Sequence, residues 1–362
     1  MTNLFDYLDW RGDLPFSAAP FSPPDSLLLS CLSYVRFGGV VEGEGGESVS
    51  LPRAAELFAA SGEEDERVRV PEDAALLKKA AASERYASVR LAHYVSRLDY
   101  AQEKQFSAVT FILPDASVCV AFRGTDSTLI GWKEDFNMSF LERVPAQEDA
   151  LRYLVTAASR FPGPLRVCGH SKGGNLAVYA ASCAPYAVQD RILAVYNHDG
   201  PGFSGGLLRS PGHQRVKDRT FTFVPESSIV GMLLEHDDDY AVVRSSAAGP
   251  LQHDPYSWGI LGANFLRLSS VSRSSRLVDR KIRDWLSRLD ADDRRGFIDA
   301  LYEMVSSTNA VSLSDLASSP LRSIRSILQA STRLSLEQKA RLLYALPIAP
   351  ALLAGRGRER EG

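Results

Sequence analysis

No apolar run in the 362-residue chain reaches the roughly 18 residues that a membrane-spanning helix needs. The nearest, LLYALPIAPALLAG from Leu342 to Gly355, is short and broken by Pro347 and Pro350. It implies no transmembrane segment and at most a peripheral membrane contact. An excess of one charge is also lacking: 41 Lys and Arg face 44 Asp and Glu, for a net charge of -3. With no basic block either, nucleic acid is excluded as the expected partner.

Cysteine is scarce. Cys31, Cys119, Cys168 and Cys183 show neither C-x-x-C spacing nor the density of a disulfide scaffold. Most lie in apolar segments where buried thiols are ordinary, which suits a reducing compartment. The opening MTNLFDYLDWRGDLPF carries Asp6, Asp9 and Asp13 where a secretory signal has a basic start and an unbroken apolar stretch. The expected location is cytoplasmic. H-E-x-x-H, EF-hand, G-x-x-x-x-G-K and dinucleotide signatures are all missing, so no metal and no other cofactor is expected. The acidic run from His236 to Asp239 reads as a solvated loop.

What is present is globular composition, 45% hydrophobic and 23% charged, enough for one large core and an appendage. DSLLLSCLSYVRFGGVV (25–41) has helical apolar spacing, and 71–98 reads as one or two helices opened by Pro71-Glu72-Asp73. The pattern then turns to β. FSAVTFILP and SVCVAFRG form a hairpin around Pro114-Asp115-Ala116, followed by an amphipathic helix (146–161) and the strand LRVCG. A helix GNLAVYAASCA and strands ILAVYN, RTFTFVP and YAVVRSS complete an alternation that implies a three-layer α/β sandwich with a mostly parallel central sheet. After Trp258 the composition becomes helical and rich in Arg and Ser. The expected organisation is a domain over 1–260, a helical C-terminal extension over 261–354 and a disordered tail over 355–362.

One stretch concentrates the chemistry. In VCGHSKGGNLAVYAA a strand passes directly into a helix through G-H-S-K-G, centred on Ser171. A nucleophile on so sharp a turn brings the residues two positions either side nearly into collision, and here those are Gly169 and Gly173. The helix N-terminus directs free N–H groups at the serine, favouring negative charge beside it. The backbone N–H of Lys172 is the expected oxyanion donor; its side chain need take no part.

Upstream, a strand ends in Arg123-Gly124-Thr125-Asp126 with Trp132 and Asp135 shortly after. This element and GHSKGGNLA together resemble the corresponding motifs of class 3 (fungal-type) lipases, members of the α/β-hydrolase superfamily. The resemblance gives Thr125 the second oxyanion-hole N–H. Trp132 and Asp135 come too early for a triad and are expected to hold the Arg123 loop, with an ion pair to Arg123. The chain resembles still more closely the Mbeg-like group of bacterial lipase-like proteins. Its pattern is matched by DYLDWRGDLPF, DSLLLSCLSYV, AFRGTD, GHSKGGNLA, DGPGF, SSIVGMLLEH and QHDPYSW, from the start to about residue 260.

A serine hydroxyl needs an imidazole as base and a carboxylate to orient it. Of His93, His170, His198, His213, His236 and His253, the last lies in a loop after the final strand, beside Tyr256 and Trp258 that would fix it. His253 is the expected base, with His236 next. Asp199, at the strand end in VYNHDGPGF, is the preferred acid and resembles the placement in pancreatic-type lipases. Class 3 lipases carry their acid one strand later, where this chain has Ser228-Ile229-Val230, leaving Glu226 as the alternative.

These readings imply a serine hydrolase of α/β-hydrolase fold acting on a carboxylic ester, either a small molecule or a lipid. Segments 138–147 and 202–214 are candidates for a lid or substrate rim. The alternatives are a catalytically inactive hydrolase-fold binding protein, or a thioesterase or amidase using the same triad.

Overall fold

The computed structural model describes residues 1–101, 104–126, 134, 138, 143–203, 205–228, 230–232, 234 and 239–271. Eleven strands are found there: β1 (Val49–Ser50), β2 (Arg90–Asp99), β3 (Lys104–Ile112), β4 (Val118–Phe122), β5 (Leu165–His170), β6 (Ile192–His198), β7 (Thr220–Pro225), β8 (Tyr240–Val243), β9 (Ile260–Leu261), β10 (Asn264–Phe265) and β11 (Arg267–Leu268). Helices of eight residues or more are α1 (Leu4–Arg11), α2 (Pro23–Leu32), α3 (Leu51–Ala60), α4 (Pro71–Ala81), α5 (Pro145–Arg160) and α6 (Lys172–Cys183).

The main sheet has nine strands in the order β1-β2-β3-β4-β5-β6-β7-β8-β11. β4 through β8 run parallel, whereas β1 to β4 and the β8–β11 pair are antiparallel. The parallel centre is buried on both faces, as such strands require. Along β4, Cys119 and Ala121 face a core built with α1, α2 and α4, while Val118, Val120 and Phe122 face a second core with α5 and α6. The three-layer α/β sandwich with a largely parallel centre is therefore present, and the N-terminal residues form one of its layers.

The expected β3–β4 hairpin is formed, closing through Pro114-Asp115-Ala116. The helical reading of 71–98 holds only for α4 and the short turn Glu84–Ala87; from Arg90 the chain is strand β2. A bulge hides that strand from sequence periodicity. Pairing shifts register between Ala92 and Val95, with His93 at φ 52°, so the alternation of two is broken where it would be read. The main sheet also continues past the boundary expected at 260, because β11 pairs with β8. Residues 272–362, which carry most of the expected helical extension and all of the tail, lie outside the described residues.

Asp25 organises the N-terminal layer. Its carboxylate caps α2 by accepting from Ser22 N and Oγ, both at 2.7 Å. It also accepts from Tyr7, Tyr86 and the Arg85 guanidinium. The motifs DYLDW and DSLLL thus meet at one buried carboxylate. α2 then lies against β5, the strand that leads to Ser171.

Candidate active site

Ser171 falls between β5 and α6 at φ 58°, ψ -134°. That region is almost reserved for glycine, and a non-glycine residue held there carries local strain of about 1–3 kcal/mol. The surrounding glycines make the turn possible. A Cβ on Gly169 would come 2.1 Å from the Gly173 backbone, and one on Gly173 would come 2.1 Å from the Phe122 carbonyl oxygen. The Ser171 N–H donates to the His198 carbonyl at 2.9 Å, binding the turn to the end of β6. Lys172 opens α6, where the Gly174 N–H donates to the Ser171 carbonyl at 2.8 Å and the N–H groups of Lys172 and Gly173 come before any intrahelical acceptor.

The chain after β4 runs directly past the serine. A Cβ on Gly124 would lie 3.1 Å from the Ser171 Cβ and 2.1 Å from the Tyr34 hydroxyl. Thr125, half-buried, follows immediately. Arg123 stands 3.7 Å from Asp126, and Arg36 stands 3.6 Å from the same carboxylate. Trp132 and Asp135, expected to hold this loop, lie outside the described residues. Their neighbour Glu134 is fully buried and takes a 2.9 Å contact from the Lys172 ammonium.

Asp199 and His253 are brought together. Asp199, at φ 54° after β6, is completely buried, and its Oδ2 meets His253 Nδ1 at 2.6 Å. Its Oδ1 accepts from the Ser228 hydroxyl at 2.5 Å. Ser228 is the position where class 3 lipases were expected to carry the acid; here a hydroxyl there steadies a carboxylate that arrives from β6. Glu226 is half-buried at the end of β7, its N–H donating to Val243 at 3.2 Å.

The loop bearing His253 is tied down on several sides. Trp258 Nε1 donates to the Gln252 carbonyl at 2.9 Å, and the Tyr256 hydroxyl donates to Asp73 at 2.6 Å, reaching the first turn of α4. From the elbow side, His170 Nε2 donates to the His253 carbonyl at 2.9 Å. The two imidazole centroids are 4.7 Å apart. His170 Nδ1 accepts from Tyr34 at 2.9 Å. Burial foremost, then the nearby His253 and Arg69, pushes the His170 pKa well below the usual histidine range, so this ring is neutral.

The other histidines occupy packed positions. His198 is fully buried with Nε2 at 2.8 Å from Ser26, and burial pushes its pKa down to about 3. His213 pairs with Ser182 at 2.9 Å, and His93 stacks on Tyr153 at 4.2 Å. His236 lies outside the described residues. Of the proposed rim segments, 145–147 form the first turn of α5, and 202–214 contain the short helix Gly205–Leu208 and the start of another, Pro211–Val216. Residues 139–142 and 204 lie outside the described residues.

Sequence reasoning overlooked Tyr34, Gln105 and Glu134. In GWKEDF, Glu134 stands two residues after Trp132 and next to Asp135, in a charged run that does not mark which carboxylate is buried. Among the described residues, no group of three or more His, Cys, Asp or Glu is placed to hold a metal ion, and no helix is long and apolar enough to cross a membrane.

The elbow, the RGTD strand end and the aspartate–histidine pair all fall on the motifs quoted for the lipase-like group, and the group's sequence pattern matches residues 80–303. The chain belongs to the Mbeg1-like family. No curated protein matches it. Three solved structures similar to this Mbeg1-like chain are lipases. M37 lipase is 15% identical at a TM-score of 0.38, with 59% of this chain and 70% of that chain covered. The Rhizomucor miehei lipase propeptide complex is 15% identical at 0.38, covering 61% and 67% respectively. Lipase from Rhizopus microsporus var. chinensis is 15% identical at 0.34, covering 55% and 72%.

Proposed function

We propose that the protein is a serine hydrolase of carboxylic esters, with lipid or short acyl esters as its substrate class. The observation that carries this reading is the 2.6 Å contact of Asp199 with His253 Nδ1, together with a serine held in a glycine-like turn whose N–H donates to the carbonyl of His198, the residue before Asp199. An imidazole whose Nδ1–H is committed to a carboxylate presents Nε2 as the free basic nitrogen. His253 Nε2 takes the Ser171 proton as Oγ attacks the ester carbonyl carbon. The tetrahedral oxygen is held by the N–H groups of Lys172 and Thr125, and Asp199 stabilises the imidazolium that forms. Collapse returns the proton to the departing alcohol. Water then attacks the acyl-serine by the same route, releasing the acid. A cytoplasmic setting belongs to the same proposal, supported by four free cysteines, three of them buried.

The test is labelling with a fluorophosphonate followed by peptide mapping, alongside hydrolysis of p-nitrophenyl esters. The expected result is one adduct on Ser171 and no turnover in Ser171→Ala, with the fold intact by circular dichroism. A wild-type protein that neither labels nor turns over would instead be a hydrolase-fold binding protein. Labelling without ester turnover would direct the search to thioesters and amides.

A further inference from the structure

Lys172 occupies the variable position of the elbow, where a hydrocarbon side chain would fill the same space without bringing a charge into the core. It is nevertheless 1% exposed, and its partner Glu134 is 0% exposed. Two ions taken from water cost several kcal/mol each in desolvation, so such a pair adds little to stability over an apolar pair of equal volume. What it does supply is direction. The Lys172 ammonium donates to Glu134 Oε2 at 2.9 Å and to the Gln105 carbonyl at 3.0 Å. The same Oε2 accepts the Gln105 N–H at 3.0 Å, and Oε1 accepts the Ala146 N–H at 3.1 Å. Gln105 then reaches the other side of the site, its Oε1 accepting the N–H of Asp126 at 3.3 Å.

These contacts form one path. It begins at the residue whose backbone N–H follows the nucleophile, passes through β3, and ends at the residue after Thr125. We infer that Lys172, Glu134 and Gln105 form a clamp that fixes the separation of the two oxyanion N–H groups, making the side chains of Lys172 and Glu134 positioning residues for ester hydrolysis. This inference rests on the function proposed above. A purely structural ion pair would hold the fold and leave turnover per folded molecule alone. A clamp acts on the oxyanion, which exists only after attack, so its loss lowers kcat and spares KM.

Glu134→Gln and the double variant Lys172→Met/Glu134→Gln separate the two. An amide cannot accept at both ends as the carboxylate does, so its NH2 must face either the Gln105 or the Ala146 N–H. Burst titration with a p-nitrophenyl ester counts competent sites, and steady-state rates are then given per site. Glu134→Gln is expected to lower kcat about 10- to 100-fold with KM within about threefold, in line with the loss from a displaced oxyanion donor. The double variant removes the unpaired charge and should recover thermal stability but not kcat. Recovery of kcat in the double variant, or wild-type kcat in both, would overturn the clamp while leaving the hydrolase reading standing. A wild-type protein without fluorophosphonate labelling or turnover would overturn that reading itself.

Discussion

Oδ2 of Asp199 stands 2.6 Å from Nδ1 of His253, 54 residues further along the chain. The carboxylate leaves β6 on a backbone with positive φ, its N–H anchored to the Phe223 carbonyl at 2.8 Å, so it is presented rigidly. Asp199→Asn places an amide where the imidazole donates and favours the wrong tautomer. It is expected to reduce kcat for p-nitrophenyl ester hydrolysis by about 10³- to 10⁴-fold. Glu226→Gln should stay within about twofold of wild type. The opposite ranking in steady-state assays would transfer the acid role to Glu226.

Ser228 contributes through that same carboxylate. Its hydroxyl is 2.5 Å from Asp199 Oδ1, and both groups are buried. A hydrogen bond to a charged group is worth about 1.5–3 kcal/mol, so Ser228→Ala should lose about that much unfolding free energy in urea melts. Its kcat should fall less than that of Asp199→Asn, because the His253 contact survives. A variant as stable as wild type would show that water replaces the hydroxyl.

The glycines of the elbow are set by contact distance. Gly173→Ala drives a Cβ to 2.1 Å from a backbone carbonyl oxygen, which only movement of β4 or α6 can relieve. The expected loss is about 3 kcal/mol or more. Gly206, with nothing within 4 Å of an added Cβ, is the control, and Gly206→Ala should change stability by less than about 1 kcal/mol. Equal midpoints for the two variants in thermal denaturation would contradict the packing described for the turn.

Local patterns made much of this legible beforehand. The strand, serine, glycines and helix of the elbow are contiguous, so their geometry follows from a few residues, and Asp199 and His253 stood out by chain order and by their turn and loop settings. Strand β2 did not, because its bulge at His93 removes the alternation that marks a strand. Nor did the joint work of Ser26, Tyr34 and Glu134. Each is an ordinary residue type for its segment, and its role exists only once α2, β5 and the chain after β4 are packed together.

Buried neutral histidines give a pH signature with a definite sign. His198 has its pKa pushed from the ordinary 6.5 down to about 3 by burial. Between those values the unfolded chain holds a proton on this ring that the folded chain does not. Stability is therefore intact above about pH 6.5 and falls as the pH drops toward 3. His198→Gln keeps a donor near Ser26 and removes the titration. Its unfolding free energy should depend on pH less steeply than wild type, by up to about 1.4 kcal/mol per pH unit, in urea melts from pH 7 to pH 4. Parallel slopes would mean that His198 charges in the folded protein.

The Asp25–Arg85 pair places the N-terminal layer under a similarly strict requirement. Both side chains are fully buried, 2.8 Å apart, and Arg85 also donates to the carbonyls of Leu14 at 2.8 Å and Ala19 at 2.9 Å. Asp25→Ala leaves a guanidinium in the core without its counter-ion and the Tyr86 hydroxyl without its acceptor, while Tyr7 keeps only Ser22 Oγ at 3.0 Å. The expected destabilisation is about 3–5 kcal/mol, and high salt should not reduce it, since ions cannot reach the pair. The consequence should extend to the elbow, because Ser26 on the same helix holds His198, whose carbonyl accepts the Ser171 N–H. Fluorophosphonate labelling of Asp25→Ala on a temperature ramp should therefore be lost together with the first unfolding transition. Labelling that outlasts that transition would show that the N-terminal layer is dispensable to the serine's turn.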